Sequence, residues 1–289
     1  MFKNVAELVE RAEQQGVSIA EVMIQQEMKF AEMTCEAVRE RMGRNLDVME
    51  KSVAKGLEGV KSLSGLTGGD AVLMQQYIAK GRTLSGPWIL DAVAKAIATN
   101  EVNAAMGMIC ATPTAGSAGV VPGTLFAVKE QLKPSRDQMI DFLFTSGAFG
   151  MVVANNASVS GAAGGCQAEV GSATGMAAAA LVELAGGTPK QAAHGMAIAL
   201  KNLLGLVCDP VAGLVEVPCV KRNAMGAAVA MTSADMALAG IESRIPTDEV
   251  IDAMYRIGQV MPSSLRETAR GGLATTPTGK KLESEIFGK

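Results

Sequence analysis

The chain has 289 residues, enough for one large domain or two small ones and for a sizeable core. Hydrophobic residues make up 48% of it but aromatics only 3%, and the net charge is −3. The lack of a basic stripe and of aromatic platforms argues against nucleic-acid binding, and the scarcity of β-branched and aromatic runs argues against sheets. Ala, Gly and Met carry the apolar content. Small residues let helices approach closely, and Met fills irregular gaps. The expectation is an all-α protein, a single compact multi-helix domain over 1–289, with 1–60 as peripheral charged helices and 82–289 as the core.

The first residues, Met1-Phe2-Lys3-Asn4, run straight into an amphipathic charged segment without a secretory signal, so a cytoplasmic protein is expected. Asn4 and Glu7 form a capping box for a helix over 5–15, which Gly16 ends. Ser18 and Glu21 open a second over 19–42, where Val22, Met23, Phe30, Met33 and Ala37 recur at helical spacing. A third covers 46–57, and the Ser- and Gly-rich 61–69 reads as a loop. Pro87 starts a helix to about residue 110. Residues 111–123, ATPTAGSAGVVPG, cannot be a regular helix, whereas 124–131 can. Ser135 and Gln138 box the start of a helix to about residue 153. Residues 155–165, NNASVSGAAGG, form a loop of small polar residues before a helix over 167–184 that Gly186 and Gly187 terminate. Thr188, Pro189 and Gln191 supply cap, first-turn proline and capping box for a helix ending near Gly205. The segment 208–219 is irregular, with Pro210, Gly213 and Pro218. Helices over 220–241 and 247–261 follow, and the tail from Arg270, GGLATTPTGKK, reads as a loop. The uncharged stretches 102–128 and 142–168 are interrupted by Gly, Pro, Asn, Ser and Thr, so neither offers the run of about 20 apolar residues that spans a bilayer.

His194 is the single histidine, which argues against a Ser–His–Asp triad or a multi-histidine zinc site within the chain. It lies mid-helix, as a structural histidine does. No GxxxxGK[ST] or strand-led GxGxxG is present. The five cysteines, widely spaced, read as reduced thiols rather than as a disulfide framework. Cys35 and Cys110 sit on helices and read as small buried hydrophobes. Cys166, Cys208 and Cys219 have a different setting. Cys166 follows Gly164-Gly165, Cys208 precedes Asp209-Pro210, and Cys219 follows Pro218. Such backbones expose N–H groups that can hydrogen-bond to thiolate and sulfide, and the prolines restrict the loop. The spacing is unlike that of ferredoxins and leaves a metal site open.

The segments NNASVSGAAGGCQAEVGSATGMAAAALVELAGG and LGLVCDPVAGLVEVPCVKRNAMGA, with ATPTAGSAGVVPG and RETARGGLATTPTGKKL, resemble the catalytic chain of the iron–sulfur-dependent L-serine dehydratases. The resemblance covers the chain from about residue 82 on, and the N-terminal helices also fit. It implies that Cys166, Cys208 and Cys219 hold a [4Fe–4S] cluster with one iron open to substrate, a Lewis acid for the hydroxyl of L-serine. Loss of the α-proton and of water then gives aminoacrylate, which yields pyruvate and ammonia. Thr114, Ala115, Gly116 and Ser117 are the first candidates to hold the substrate, through hydroxyls and backbone N–H groups; the alternative is a tight helix–helix connection. Asn155, Asn156, Ser158 and Ser160 form a second polar cluster that either binds substrate or satisfies buried backbone groups. Lys221 and Arg222 either balance cluster charge or form a solvated pair. Arg266 and Arg270 either reach a carboxylate or make surface ion pairs. The general base is open between Lys280, Lys281 and a partner residue.

Fused members of that family carry a smaller α/β region ahead of the helical one, whereas Met1 here starts directly in helices. The chain therefore resembles the alpha subunit of the two-chain form, which implies a heterodimer with a beta subunit. It ends Glu285-Ile286-Phe287-Gly288-Lys289 rather than in a cysteine, so capping of the open iron by the C-terminus is not expected. Two alternatives stand beside this reading: a dehydratase of a related hydroxy-amino acid, and a non-catalytic cluster-binding regulatory subunit.

Overall fold

A computed structural model describes residues 2–288. The N-terminus of each helix leaves N–H groups without intrahelical partners, and this chain satisfies them in two ways. Local caps act at α1 (Val5–Gln15), where Asn4 accepts from the Glu7 N–H at 2.8 Å, and at α2 (Ile19–Ala31), where Ser18 accepts from Glu21. Reciprocal capping boxes, Ser135/Gln138 and Thr188/Gln191, open α7 (Arg136–Asn156) and α10 (Pro189–Lys201). The second way is a carboxylate sent from a distant helix. Asp248 accepts from Val5 and Ala6, and Glu183 accepts from Ile19 and Ala20. Glu101, fully buried, accepts from Asp70 at the start of α4 (Asp70–Ala79), whose cap residue Gly69 has no side chain to offer. The N–H groups at these positive helix ends attract the carboxylates, and each contact ties distant segments together.

The remaining helices are α3 (Cys35–Glu58), α5 (Pro87–Ala104), α6 (Val120–Leu132), the four-residue α8 (Gly161–Gly164), α9 (Ser172–Leu184), α11 (Cys219–Leu238), α12 (Thr247–Val260) and α13 (Pro277–Phe287). No strand occurs among the described residues; two isolated bridges are the only β pairings there. The all-α single domain read from composition is what the chain forms. α9 is its axis, buried from Ser172 to Val182 and packed against α6, α7, α10 and α11. Its four consecutive alanines, Ala177 to Ala180, bring those neighbours close. Gly226 of α11 sits where a Cβ would lie 2.7 Å from Thr174 Oγ1 of α9. Between α3 and α5 the approach is closer still, because a Cβ on Gly56 would overlap the backbone of Ala98. None of the helices among the described residues is long and apolar enough to cross a membrane.

Several sequence-derived boundaries need correction. The helix expected over 19–42 is two: Glu32 takes a left-handed conformation, and Thr34 caps a new helix that absorbs the one expected over 46–57. The helix from Pro87 stops at Ala104 rather than near 110, where Gly107 closes onto Val102. α6 begins at Val120, inside the stretch expected to be irregular, because Pro122 falls in its first turn, where no N–H is needed. Asn155 and Asn156, expected in a loop, end α7. The tail expected to be a loop contains α13, capped by Thr276 with Pro277 at its first position, and α4 has no counterpart among the elements expected from sequence.

Candidate active site

The three cysteines come from three backbone settings. Cys166 directly precedes a π-helical stretch, Gln167–Gly171, that leads into α9; such insertions are frequent at functional sites. Cys208 lies in an extended segment held on both sides: its N–H donates to Leu265 at 2.8 Å and its carbonyl accepts from Glu267 at 2.7 Å. Cys219 is the first residue of α11. All three are free and only 3–7% exposed. Cys208 feels the charge of Cys166 and Cys219, and Cys219 feels that of Cys166. Burial pushes Cys166 up to about 11 and Cys219 up to about 12, in both cases offset by the Arg222 guanidinium, and drives Cys208 higher again. As free thiols they hold their protons; a bound metal would take the proton's place. Among the described residues no three Cys, His, Asp or Glu side chains meet the spacing of a single-ion site. The other two cysteines depart from the expectation that both are buried: Cys35 opens α3 on its charged outer face and is exposed, and Cys110 is half-buried.

Glu169 stands at the centre of this group. Its Oε1 accepts from Thr114 Oγ1 at 2.7 Å, and its Oε2 lies 3.9 Å from the Cys208 sulfur. Burial raises its proton affinity; the Thr114 hydroxyl opposes that rise, the nearby Glu267 charge adds to it, and the Cys208 thiol opposes it. Two glycines close on the carboxyl group. A Cβ on Gly116 would come 3.1 Å from Oε1, and one on Gly161 would come 2.5 Å from Oε2. Glu169 is not among the candidates drawn from the sequence, although it is the only charged residue between Asp141 and Glu183. A lone carboxylate in so apolar a run is itself a signal.

The loop carrying Thr114 is a short 3₁₀ turn, Ala115–Ser117. The buried Ser117 hydroxyl donates to the Thr112 carbonyl and accepts from the Thr114 N–H, so it shapes the loop rather than facing Glu169. Thr114 and Gly116 face Glu169, and Ala115 is exposed. Asn223, fully buried and likewise absent from the sequence-derived candidates, ties this loop to the helix of Cys219. Its amide donates to the carbonyls of Gly116 and Cys219 and accepts from Gly119.

Other candidates sit further out. Asn155 is exposed; Asn156 donates to Lys3 and Val152; Ser158 accepts from the Ser160 N–H. Arg266 pairs its backbone beside Cys208 and donates to Ala163, with its buried Nε unpartnered, while Arg270 is exposed. Lys221 pairs with Asp70 at the surface. Lys280 and Lys281 are exposed on α13, paired with Glu283 and Glu285 of the same helix. The apolar surface groove of about 400 Å³ lined by Trp88, Leu132, Met231 and Leu238 contains none of these side chains.

The sequence matches the family described as serine dehydratase alpha chain over residues 14–274. The chain belongs to that family. It is 73% identical over 288 residues to a Bacillus subtilis protein named probable L-serine dehydratase, alpha chain, covering all of this chain and 96% of that one. It is 42% identical to the L-serine dehydratase alpha chain of Peptoniphilus asaccharolyticus, with 99% of each covered. The L-serine dehydratase 2 of Escherichia coli is 35% identical over 280 residues, 94% of this chain but 61% of that longer one. Cys166, Cys208, Cys219 and Glu169 all fall within the region matched to the family.

Proposed function

We propose that this chain is the alpha subunit of an L-serine dehydratase, which converts L-serine to pyruvate and ammonia by eliminating water. The observation that carries the reading is the meeting of three buried thiols with the Thr114–Glu169 pair in one place. The donor set fits a [4Fe–4S] cluster held by Cys166, Cys208 and Cys219: three free, buried thiols with a guanidinium beside them. When bound, such a cluster supplies an iron with an open position, a Lewis acid toward the hydroxyl oxygen that leaves.

The chain's own residues bind and orient the substrate and move its proton. The backbone N–H groups of Ala115 and Gly116 hold the substrate carboxylate, while Thr114 fixes Glu169 beside them. Arg266, close to Cys208 with a donor to spare, adds positive charge to the same side. Glu169 takes the α-proton. Thr114 holds its Oε1, Oε2 faces the Cys208 sulfur, and a carboxyl group whose proton affinity is raised by burial suits the task. Gly116 and Gly161 bring their backbone close against the same carboxyl group.

A companion beta chain completes the enzyme as a heterodimer. Supporting this, the relatives covered end to end are named alpha chains, whereas the longer Escherichia coli relative has a further 39% of its length outside the match. Five free thiols fit a reducing cytoplasm. The test is pyruvate formation from L-serine by the two chains purified together without oxygen, with L-threonine as competitor substrate. Pyruvate is the expected product, and its absence with a fully loaded cluster would overturn the assignment.

A further inference from the structure

One guanidinium touches the segments of all three cysteines. Arg222 lies on α11 three residues after Cys219, so the two side chains leave the same face of the helix. Its Nη1 donates to the Val207 carbonyl at 2.7 Å and stands 2.9 Å from Asp209 Oδ1, so the residues on both sides of Cys208 are held by it. The contact with Asp209 is an ion pair, and Oδ1 has no hydrogen-bond partner. Asp209 Oδ2 accepts from the Leu273 N–H at 2.7 Å. The same positive charge acts on the thiols of Cys166 and Cys219.

The pair is not a solvated one. Side-chain exposure is 17% for Arg222 and 3% for Asp209, whereas the adjacent Lys221 is 57% exposed and pairs outward with Asp70. Three thiolates brought together in a buried place repel one another, and a cation that never loses its proton offsets that repulsion. Breaking one partner from a buried charge pair leaves the other uncompensated.

We propose that Arg222 is the positioning residue of the three-cysteine set. It holds Cys208 against the helix of Cys219 and sets the charge felt by the sulfurs and the metal they bind, with Asp209 opposing it. This rests on Cys166, Cys208 and Cys219 being the cluster ligands. A purely structural ion pair makes Arg222→Gln and Asp209→Asn alike in effect. A charge-setting role makes them opposite, because a nearby positive charge favours the reduced cluster and a negative one disfavours it.

The test uses the full chain, purified and reconstituted with iron and sulfide without oxygen, as wild type, R222Q, R222K and D209N. Iron and sulfide per chain, the rate of iron loss to a chelator and the reduction potential are measured. R222Q is expected to lose iron several-fold faster than wild type and to show a lower potential. D209N is expected to show a higher potential, and R222K to retain most of the iron. Potentials that move in the same direction in R222Q and D209N, or that stay unmoved in loaded variants, would overturn the proposal while leaving the ligand assignment intact. Should R222Q not fold, a D209N potential at or below that of wild type overturns it alone. A wild-type chain that takes up no iron and sulfide removes the ligand assignment and this role together.

Discussion

Thr114 donates its hydroxyl to Glu169 Oε1 across 2.7 Å, and that bond joins the Ala115–Ser117 turn to the π-helical stretch that follows Cys166. Glu169→Gln keeps the shape and the Thr114 contact but cannot take a proton. We expect kcat to fall by about 10²–10⁴-fold, the usual worth of a general base, with KM little changed. Thr114→Val removes a hydrogen bond to a charged group, a loss of about 1.5–3 kcal/mol. Steady-state pyruvate formation measures the first and denaturant unfolding the second, and a Glu169→Gln enzyme within tenfold of wild type would remove Glu169 from proton transfer.

Under the proposed function, burial separates the three cysteines assigned to the cluster from the other two. Replacing Cys166, Cys208 or Cys219 by Ala is expected to abolish stable iron and sulfide uptake, whereas Cys35→Ala and Cys110→Ala are expected to retain it, because those two lie apart and more exposed. Metal analysis after anaerobic reconstitution decides. A Cys110→Ala chain that loses iron as completely as Cys208→Ala would contradict the assignment.

What is legible in the sequence follows from local chemistry. Asn4, Ser18, Ser135 and Thr188 announce their helices because a cap reaches only two or three residues along the chain. The helix at Asp70 is illegible for the opposite reason: its capping carboxylate, Glu101, arrives from another helix. The cysteines stand out by their Gly and Pro neighbours and by the quoted motifs. Glu169 stands out only as a lone carboxylate, and Asn223 not at all, since their roles come from bringing together segments 55 and 107 residues apart. The motif RETARGG draws attention for its arginines. Much of its service is backbone: Glu267, with Leu265 just before the motif, clamps Cys208, and Gly272 passes where any Cβ would strike Asp209.

Glu183 links stability to pH at a distance from the cysteines. Its carboxyl group accepts from the N–H groups of Ile19 and Ala20 and from the Thr145 hydroxyl, yet burial outweighs these bonds and raises its pKa. In the unfolded chain a glutamate titrates near ~4.3. The folded state therefore binds this proton more tightly. The stabilisation is complete below the unfolded value and is lost as pH rises through the raised folded value. Glu183→Gln cannot ionise, so wild type should lose stability relative to the variant over that window, by about 1.4 kcal/mol for each tenfold difference in proton affinity between the folded and unfolded chain. Thermal melts of the two proteins from about pH 4 to 7 test this, and a constant difference across the range would count against it.

Two glycines give opposite predictions for the same substitution. A Cβ at Gly161 would lie 2.5 Å from Glu169 Oε2 and 3.0 Å from the Cys208 sulfur, so Gly161→Ala must push the carboxyl group away from the thiol. Displacement of about 1 Å in a reacting group costs on the order of 10²-fold in rate. Gly161→Ala should therefore lose at least tenfold in activity and also retain iron less well, with little change in melting temperature. Gly147, in the middle of α7, has nothing within 4 Å of the place a Cβ would take. There the alanine only restricts the unfolded chain and favours the helix, adding about 0.5–1 kcal/mol. A rise of roughly 1–4 °C in melting temperature with unchanged activity is expected for Gly147→Ala. Equal activities for the two variants would show that the Glu169–Cys208 separation does not matter to the reaction.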